Sequence, residues 1–210
     1  IGDRLVGSEM CIRDSIRALN GKMTTDGVFD IVKAVREKSQ IPLVFMTYLN
    51  PVFHYGYEAF FRKCETLGVD GIIIPDLPYE EKEEMSDIAE KHGVDIISMI
   101  APTSRQRIQT IAKDAKGFLY VVSSMGVTGV RNNIETDIVS MISSIREVTD
   151  TPAAVGFGIS TPKQAGAIAE VSDGAIVGSA IVKIIETYGD DAAEALKTYV
   201  TEMKNAVHSC

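Results

Sequence analysis

Val155-Gly156-Phe157-Gly158-Ile159-Ser160 and Gly174-Ala175-Ile176-Val177-Gly178-Ser179-Ala180-Ile181-Val182-Lys183 each read as a short apolar strand, a glycine turn and the first residues of a helix. Glycine lets the backbone approach a ligand closely, and a helix N-terminus presents N–H groups that carry partial positive charge. Two such turns on the last two strands of an alternating α/β chain are where a (β/α)8 barrel holds a phosphate. The same glycines also suit plain tight packing of helix against strand, so the residues alone leave both readings open.

Working back from these turns, apolar β-rich runs recur at 42–46, 70–74, 94–99, 117–122, 152–155 and 174–177. Helical patterns separate them. Residues 57–67 place Phe60, Cys64 and Leu67 on one face, with Gly68 as terminator. Residues 78–92 open with Glu80, Glu81, Glu83 and Glu84, which favour the positive end of a helix dipole. Met85, Ile88, Ala89 and His92 then fall on one face before Gly93. Thr161-Pro162-Lys163-Gln164 has the form of a capping box with proline at the first helical position. One more helix is predicted near 26–38. Strands that are apolar throughout, joined by helical crossovers, indicate buried parallel β-structure and an α/β fold.

These runs give six strands, whereas a barrel has eight. If the glycine turns mark strands seven and eight, residues 16–210 form an incomplete TIM (β/α)8 barrel with strands 3–8 present. Residues 1–15 carry charges at Asp3, Arg4, Glu9, Arg13 and Asp14 and offer no strand-length apolar run. They are expected to be irregular. Periodicity alone also allows a complete six-stranded doubly wound sheet.

Composition narrows the function classes. The 210 residues suit one large domain or two small ones, and a 45% hydrophobic content supports a sizeable core. A formal charge of −8 argues against nucleic acid and against anionic membrane surfaces as partners. No apolar run reaches the roughly 18 residues of a membrane span. Cys11, Cys64 and Cys210 are far apart and odd in number, which argues against disulfides and structural zinc and fits a reducing cytoplasm. No secretory signal pattern opens the chain. His54, His92 and His208 suggest neither a metal site nor a triad, so no metal is expected. The longest connection, 123–133, contains Gly126, Thr128 and Gly129 and reads either as an active-site lid with glycine hinges or as a surface loop.

Gly126-Val127-Thr128-Gly129, Gly156-Phe157-Gly158-Ile159-Ser160 and Gly178-Ser179-Ala180-Ile181-Val182-Lys183 together resemble the tryptophan synthase alpha chain family. Met46-Thr47-Tyr48-Leu49-Asn50-Pro51 and Pro75-Asp76-Leu77-Pro78-Tyr79-Glu80-Glu81 agree with it, and the similarity runs in register from about residue 15 to 207. The resemblance implies a (β/α)8 barrel that performs a retro-aldol cleavage of indole-3-glycerol phosphate to indole and glyceraldehyde 3-phosphate, in tryptophan biosynthesis. It implies no cofactor in this chain. The partner is a beta chain that joins indole to serine with pyridoxal phosphate, in a cytoplasmic alpha2beta2 heterotetramer.

The same resemblance implies the site. Tyr48 and Tyr120 reach the substrate pocket, and Phe157 packs against the indole. The N–H groups of Gly129, Gly158, Gly178 and Ser179 bind the phosphate, and Thr128 meets a catalytic aspartate when the lid closes. Asn50, Pro51, Phe53 and Pro78 face the beta chain. Asp76 is read as organising a loop, facing the partner or capping a turn. The family's catalytic glutamate and aspartate lie on strands before the matching region and have no counterpart here, so no catalytic residue is assigned. Residues 1–15 are unlike the family; we expect them to be foreign sequence on an N-terminally truncated gene model, and the 210 residues to be inactive by themselves. Two other functions stay open on the motifs: a different phosphate-binding barrel enzyme, and a non-catalytic phosphate-binding partner of a beta chain.

Overall fold

The computed structural model describes residues 9–122, 134–156 and 158–208, with side chains from 15 to 122, 138 to 156 and 158 to 208. It divides into two compact units, one ending at Ile97 and the other beginning at Ser98.

The first unit contains helices α1 (Glu9–Asn20) and α2 (Thr25–Arg36), strand β1 (Val44–Met46), helices α3 (Leu49–Tyr55) and α4 (Tyr57–Leu67), strand β2 (Gly71–Ile73), helix α5 (Glu83–Lys91) and strand β3 (Asp95–Ile96). Its three strands are parallel, in the order β1-β2-β3. The second unit contains β4 (Ser98–Ile100), α6 (Arg105–Lys113), β5 (Leu119–Val122), α7 (Ile134–Arg146), β6 (Ala153–Gly156), α8 (Pro162–Ala169), β7 (Gly174–Ile176), α9 (Ser179–Tyr188) and α10 (Ala192–His208). Its sheet is also parallel, in the order β4-β5-β6-β7. In both sheets each strand pairs with its sequence neighbour. A doubly wound sheet reverses its strand order at a switch point, whereas a (β/α)8 chain adds strands in sequence. The order therefore selects the barrel class over the open-sheet alternative.

Three expectations are revised. The run at 94–99 is two short strands divided at Ile97: β3 pairs with β2, and β4 pairs with β5. The segment expected to be irregular is helical from Glu9 onward, and α1 runs through the expected boundary at 15/16. The helix predicted from 78 opens instead with a 3-10 turn, Tyr79–Glu81, before α5.

The first unit's core is aromatic. Phe29 of α2 lies 5.5 Å from Phe45 of β1 and 5.3 Å from Phe60 of α4, and Phe60 lies 5.6 Å from Phe61. Such edge-on arrays combine large buried area with favourable quadrupole geometry. Cys64 sits fully buried in the same core, where burial pushes its thiol up to about 12. A thiol so desolvated is a packing group and no nucleophile.

One device fixes neighbouring strands in both units. Arg36, the last residue of α2, donates to the carbonyls of Gly68 and Ile41 at 2.6 Å each and pairs with Asp70, just before β2. Asp70 in turn accepts the Leu43 N–H at 2.7 Å. In the second unit Arg146, the last residue of α7, donates to the Thr151 carbonyl at 2.9 Å and pairs with Asp173, just before β7. Asp173 accepts the Ala153 N–H at 2.6 Å. A planar guanidinium suits this forked task better than a lysine.

Candidate functional site

The second unit carries the glycine turns. β6 ends at Gly156, in register with Val122, while Tyr120 stands opposite Ala154. The Tyr120 ring lies over Gly156 so closely that a Cβ there would stand 2.6 Å from its Cζ and 2.8 Å from its Cε1, with the hydroxyl nearer still. Tyr120 is only 6% exposed. The glycine motif thus has a packing reason besides any ligand: it makes room for the tyrosine.

The chain after β6 turns at Gly158, whose φ of +78° lies in the left-handed region that favours glycine. Ile159 is buried and anchors the turn. The N–H groups of Ser160 and Thr161 both donate to Gln164 Oε1, at 3.0 and 3.1 Å, while the Gln164 N–H donates to Thr161 Oγ1 at 3.3 Å. This is the capping box that the sequence suggests, and Pro162 takes the first helical position. The second turn follows β7. Gly178 is the N-cap of α9, and Ser179 is its first residue. An α-helix leaves its first N–H groups without intrahelical partners, and Gly178 has no side chain to cap them. Among the described residues, no atom lies within 4 Å of a Cβ built on Gly178. Gly158, Gly178 and Ser179 are all exposed, as backbone that receives a ligand must be. Lys183 points to solvent.

The first unit carries the expected docking residues. Tyr48 is the N-cap of α3 and is 47% exposed. A tyrosine cannot cap its own helix, and Asp76 does so from the next loop: its Oδ1 accepts the Leu49 N–H at 2.9 Å. Asp76 is therefore a loop organiser, and it ties the loop bearing Pro78 to the helix bearing Asn50, Pro51 and Phe53. All four of those residues are exposed, Phe53 by 59%. Val52, fully buried, holds the other face of α3 to the core. At the far end of α3, the Tyr55 hydroxyl donates to Asp26 at 2.7 Å, and Lys63 bonds both. Lys63 also lies 5.0 Å over the Phe29 ring. The Lys63 hydrogen bond holds the Asp26 carboxyl below its usual range, and Asp26 raises Lys63 in return.

Thr128, Gly129 and Phe157 lie outside the described residues. Two features were not read from the sequence. His92, expected only to complement its helix dipole, is buried at the end of α5 and faces Glu65 at 2.7 Å and Glu58 at 3.3 Å, both on α4. Tyr199 of α10 donates to the Ser160 carbonyl at 2.9 Å. Neither partner is near in sequence, so no local pattern points to either contact. A cavity of about 370 Å³ is lined by Ala175, Val177, Ile181, Tyr199, Met203 and Val207 among others, but by none of the expected substrate residues. Among the described residues no cluster of His, Cys, Asp and Glu is suited to a metal ion, and no helix is long and apolar enough to cross a membrane.

The family described as "Tryptophan synthase alpha chain" matches residues 10–208, which takes in part of the segment expected to be foreign. The alpha chain of Lacticaseibacillus casei is 47% identical over 192 residues, covering 91% of this chain and 72% of that one. The crystal structure of the alpha chain from Legionella pneumophila subsp. pneumophila is 33% identical, with a TM-score of 0.85 over 96% of this chain and 76% of its own. A tryptophan synthase a2b2 complex from Pyrococcus furiosus matches at 33% identity and TM-score 0.85, over 98% of this chain and 84% of that one. Both the level of identity and the length of chain matched place the sequence beyond a likeness of fold: the chain belongs to the tryptophan synthase alpha chain family.

Proposed function

We propose that this chain binds indole-3-glycerol phosphate as the alpha chain of a tryptophan synthase, with the phosphate held by the backbone N–H groups of Gly158, Gly178 and Ser179 and of Gly129. The observation that carries this reading is the pair of exposed glycine turns after β6 and β7. One is held in a left-handed conformation; the other heads a ten-residue helix with open space in front of it. Helix N-termini and glycine turns are suited to anions because their N–H groups converge and no side chain intervenes. Tyr48 and Tyr120 complete the pocket in this reading, Phe157 packs against the indole, and Thr128 belongs to the lid.

The reaction is a retro-aldol cleavage. An acid delivers a proton to the indole carbon that bears the glycerol chain. A base removes the proton of the adjacent glycerol hydroxyl, whose oxygen becomes the aldehyde as the carbon–carbon bond breaks. Two carboxylates in different environments divide such work. The resemblance places those carboxylates on strands without a counterpart among residues 1–210, so the described residues bind and orient.

Replacing Gly178 by leucine is expected to weaken binding of glycerol 3-phosphate by about tenfold or more, equivalent to about 1.4 kcal/mol. The side chain would enter space that no described atom fills, so the melting temperature should hold while affinity falls. Isothermal titration on both proteins checks this, and undiminished affinity would remove the site.

The family's alpha chain does not itself bind a cofactor; we place pyridoxal phosphate in a beta chain, and the pair in a cytoplasmic alpha2beta2 assembly. Asn50, Pro51 and Phe53 on α3, with Pro78, form the docking surface. Phe53 has the size and exposure of an aromatic anchor, and such anchors lose more than about 1 kcal/mol when truncated. The Phe53→Ala protein is expected to bind its beta chain at least about fivefold more weakly by surface plasmon resonance, with its circular dichroism unchanged. Equal affinity would move the interface elsewhere.

A further inference from the structure

We infer that Tyr199 is a positioning residue for phosphate binding: from the C-terminal helix its hydroxyl holds the Ser160 carbonyl and so fixes the glycine turn that presents the Gly158 N–H. This inference rests on the phosphate site proposed above.

The turn needs an external hold. It leaves β6 at Gly156 and lies outside any strand ladder until α8 begins at Pro162. Its φ of +78° at Gly158 is one of several that glycine adopts at little cost. A backbone anion site works only when its N–H groups are aimed before the ligand arrives. Two groups do the aiming. Gln164 takes the N–H of Ser160 at 3.0 Å, and Tyr199 takes its carbonyl at 2.9 Å. Both polar groups of this one peptide unit are thus committed, one to α8 and one to α10. The peptide between Ser160 and Thr161 cannot rotate without breaking a bond at each side.

The tyrosine is itself well held. It is half-buried, and its ring borders the cavity formed with Ala175, Val177 and Met203. Burial pushes its hydroxyl above the usual phenol range, so it keeps its proton and stays a donor at neutral pH. The ring alone satisfies the packing of α10. The hydroxyl is the part that reaches the turn.

Tyr199→Phe in the full 210-residue chain separates these roles, because phenylalanine keeps the ring and removes the donor. Binding of inorganic phosphate and of glycerol 3-phosphate is followed by titration, with the amide resonances of Gly158 and Gly178 read separately. Loss of one neutral hydrogen bond corresponds to about a three- to tenfold weaker affinity. The expected result is that loss, with a smaller ligand-induced shift at Gly158 than at Gly178 and a melting temperature within about 2 °C of the parent. Unchanged affinity with a lowered melting temperature would overturn the inference and leave Tyr199 as an anchor for α10. The Gly178→Leu protein, measured alongside, distinguishes the two levels. If it binds phosphate as tightly as the parent, the phosphate site itself is wrong and the inference falls with it. If it loses affinity while Tyr199→Phe does not, only the positioning role fails.

Discussion

A polypeptide limited to residues 1–210 is expected to bind glycerol 3-phosphate yet to release indole from indole-3-glycerol phosphate at least about 10²-fold more slowly than a full-length family member. The reasoning is chemical. The phosphate turns orient the substrate, but orientation does not move a proton to the indole carbon or away from the hydroxyl. Each positioned acid or base contributes about 10²–10⁴-fold. The groups near the pocket are poor substitutes. Asp76 is committed to the Leu49 N–H. Tyr120 is nearly enclosed against Gly156. Cys64 is in the core with its thiol pushed up to about 12. An indole-release assay with purified protein checks the expectation, and a rate comparable to a full-length relative would refute it. A protein that releases no indole but still activates a beta chain would favour the reading of a non-catalytic, phosphate-binding partner.

The second large effect should come from Gly156→Val. A Cβ at this position stands 2.6 Å from Tyr120 Cζ, and real Cβ atoms do not approach so closely. The ring cannot simply step aside: Tyr120 sits within a strand whose four residues are all buried, hydrogen-bonded to β6 on one side and β4 on the other. Overpacking of this kind costs about 1–3 kcal/mol. It should also displace the tyrosine proposed to line the substrate pocket. Thermal denaturation should show a lower midpoint, and substrate affinity should fall further than stability accounts for. Tyr120→Ala in the same background should recover stability without recovering affinity. If Gly156→Val alone leaves both quantities intact, the glycine serves neither tyrosine nor turn.

Much of the fold was legible because local chemistry determines it. Helix α4 runs over the predicted residues 57–67, since its buried face and its left-handed Gly68 are both local signals. The capping box at Thr161 is equally local. The division at Ile97 was not legible, because an apolar run reports burial and says nothing about which neighbour each residue pairs with. Helix α1 was missed because residues 1–15 were searched for strands, while charges such as Glu9 and Arg13 are no obstacle to a helix. The 3-10 turn at Tyr79 was missed because acidic residues favour any helical start, α or 3-10. In the site, the glycine turns could be read because the functional atoms are backbone and glycine marks them. The contacts of Tyr199 and His92 could not, because each joins residues distant in sequence: 39 positions separate Tyr199 from Ser160.

The twin arginine–aspartate clamps have an evolutionary consequence. Arg36 with Asp70, and Arg146 with Asp173, lock neighbouring strands at the end where the strands begin. Loops at the opposite end then drift under little structural constraint, because strand register does not depend on them. Stability and specificity are inherited from opposite ends of the same strands. A lineage can therefore remodel what it binds, or what it docks against, without renegotiating how it folds. Directed evolution of this chain should follow the same partition, randomising the loops after the strands while leaving Arg36, Asp70, Arg146 and Asp173 untouched.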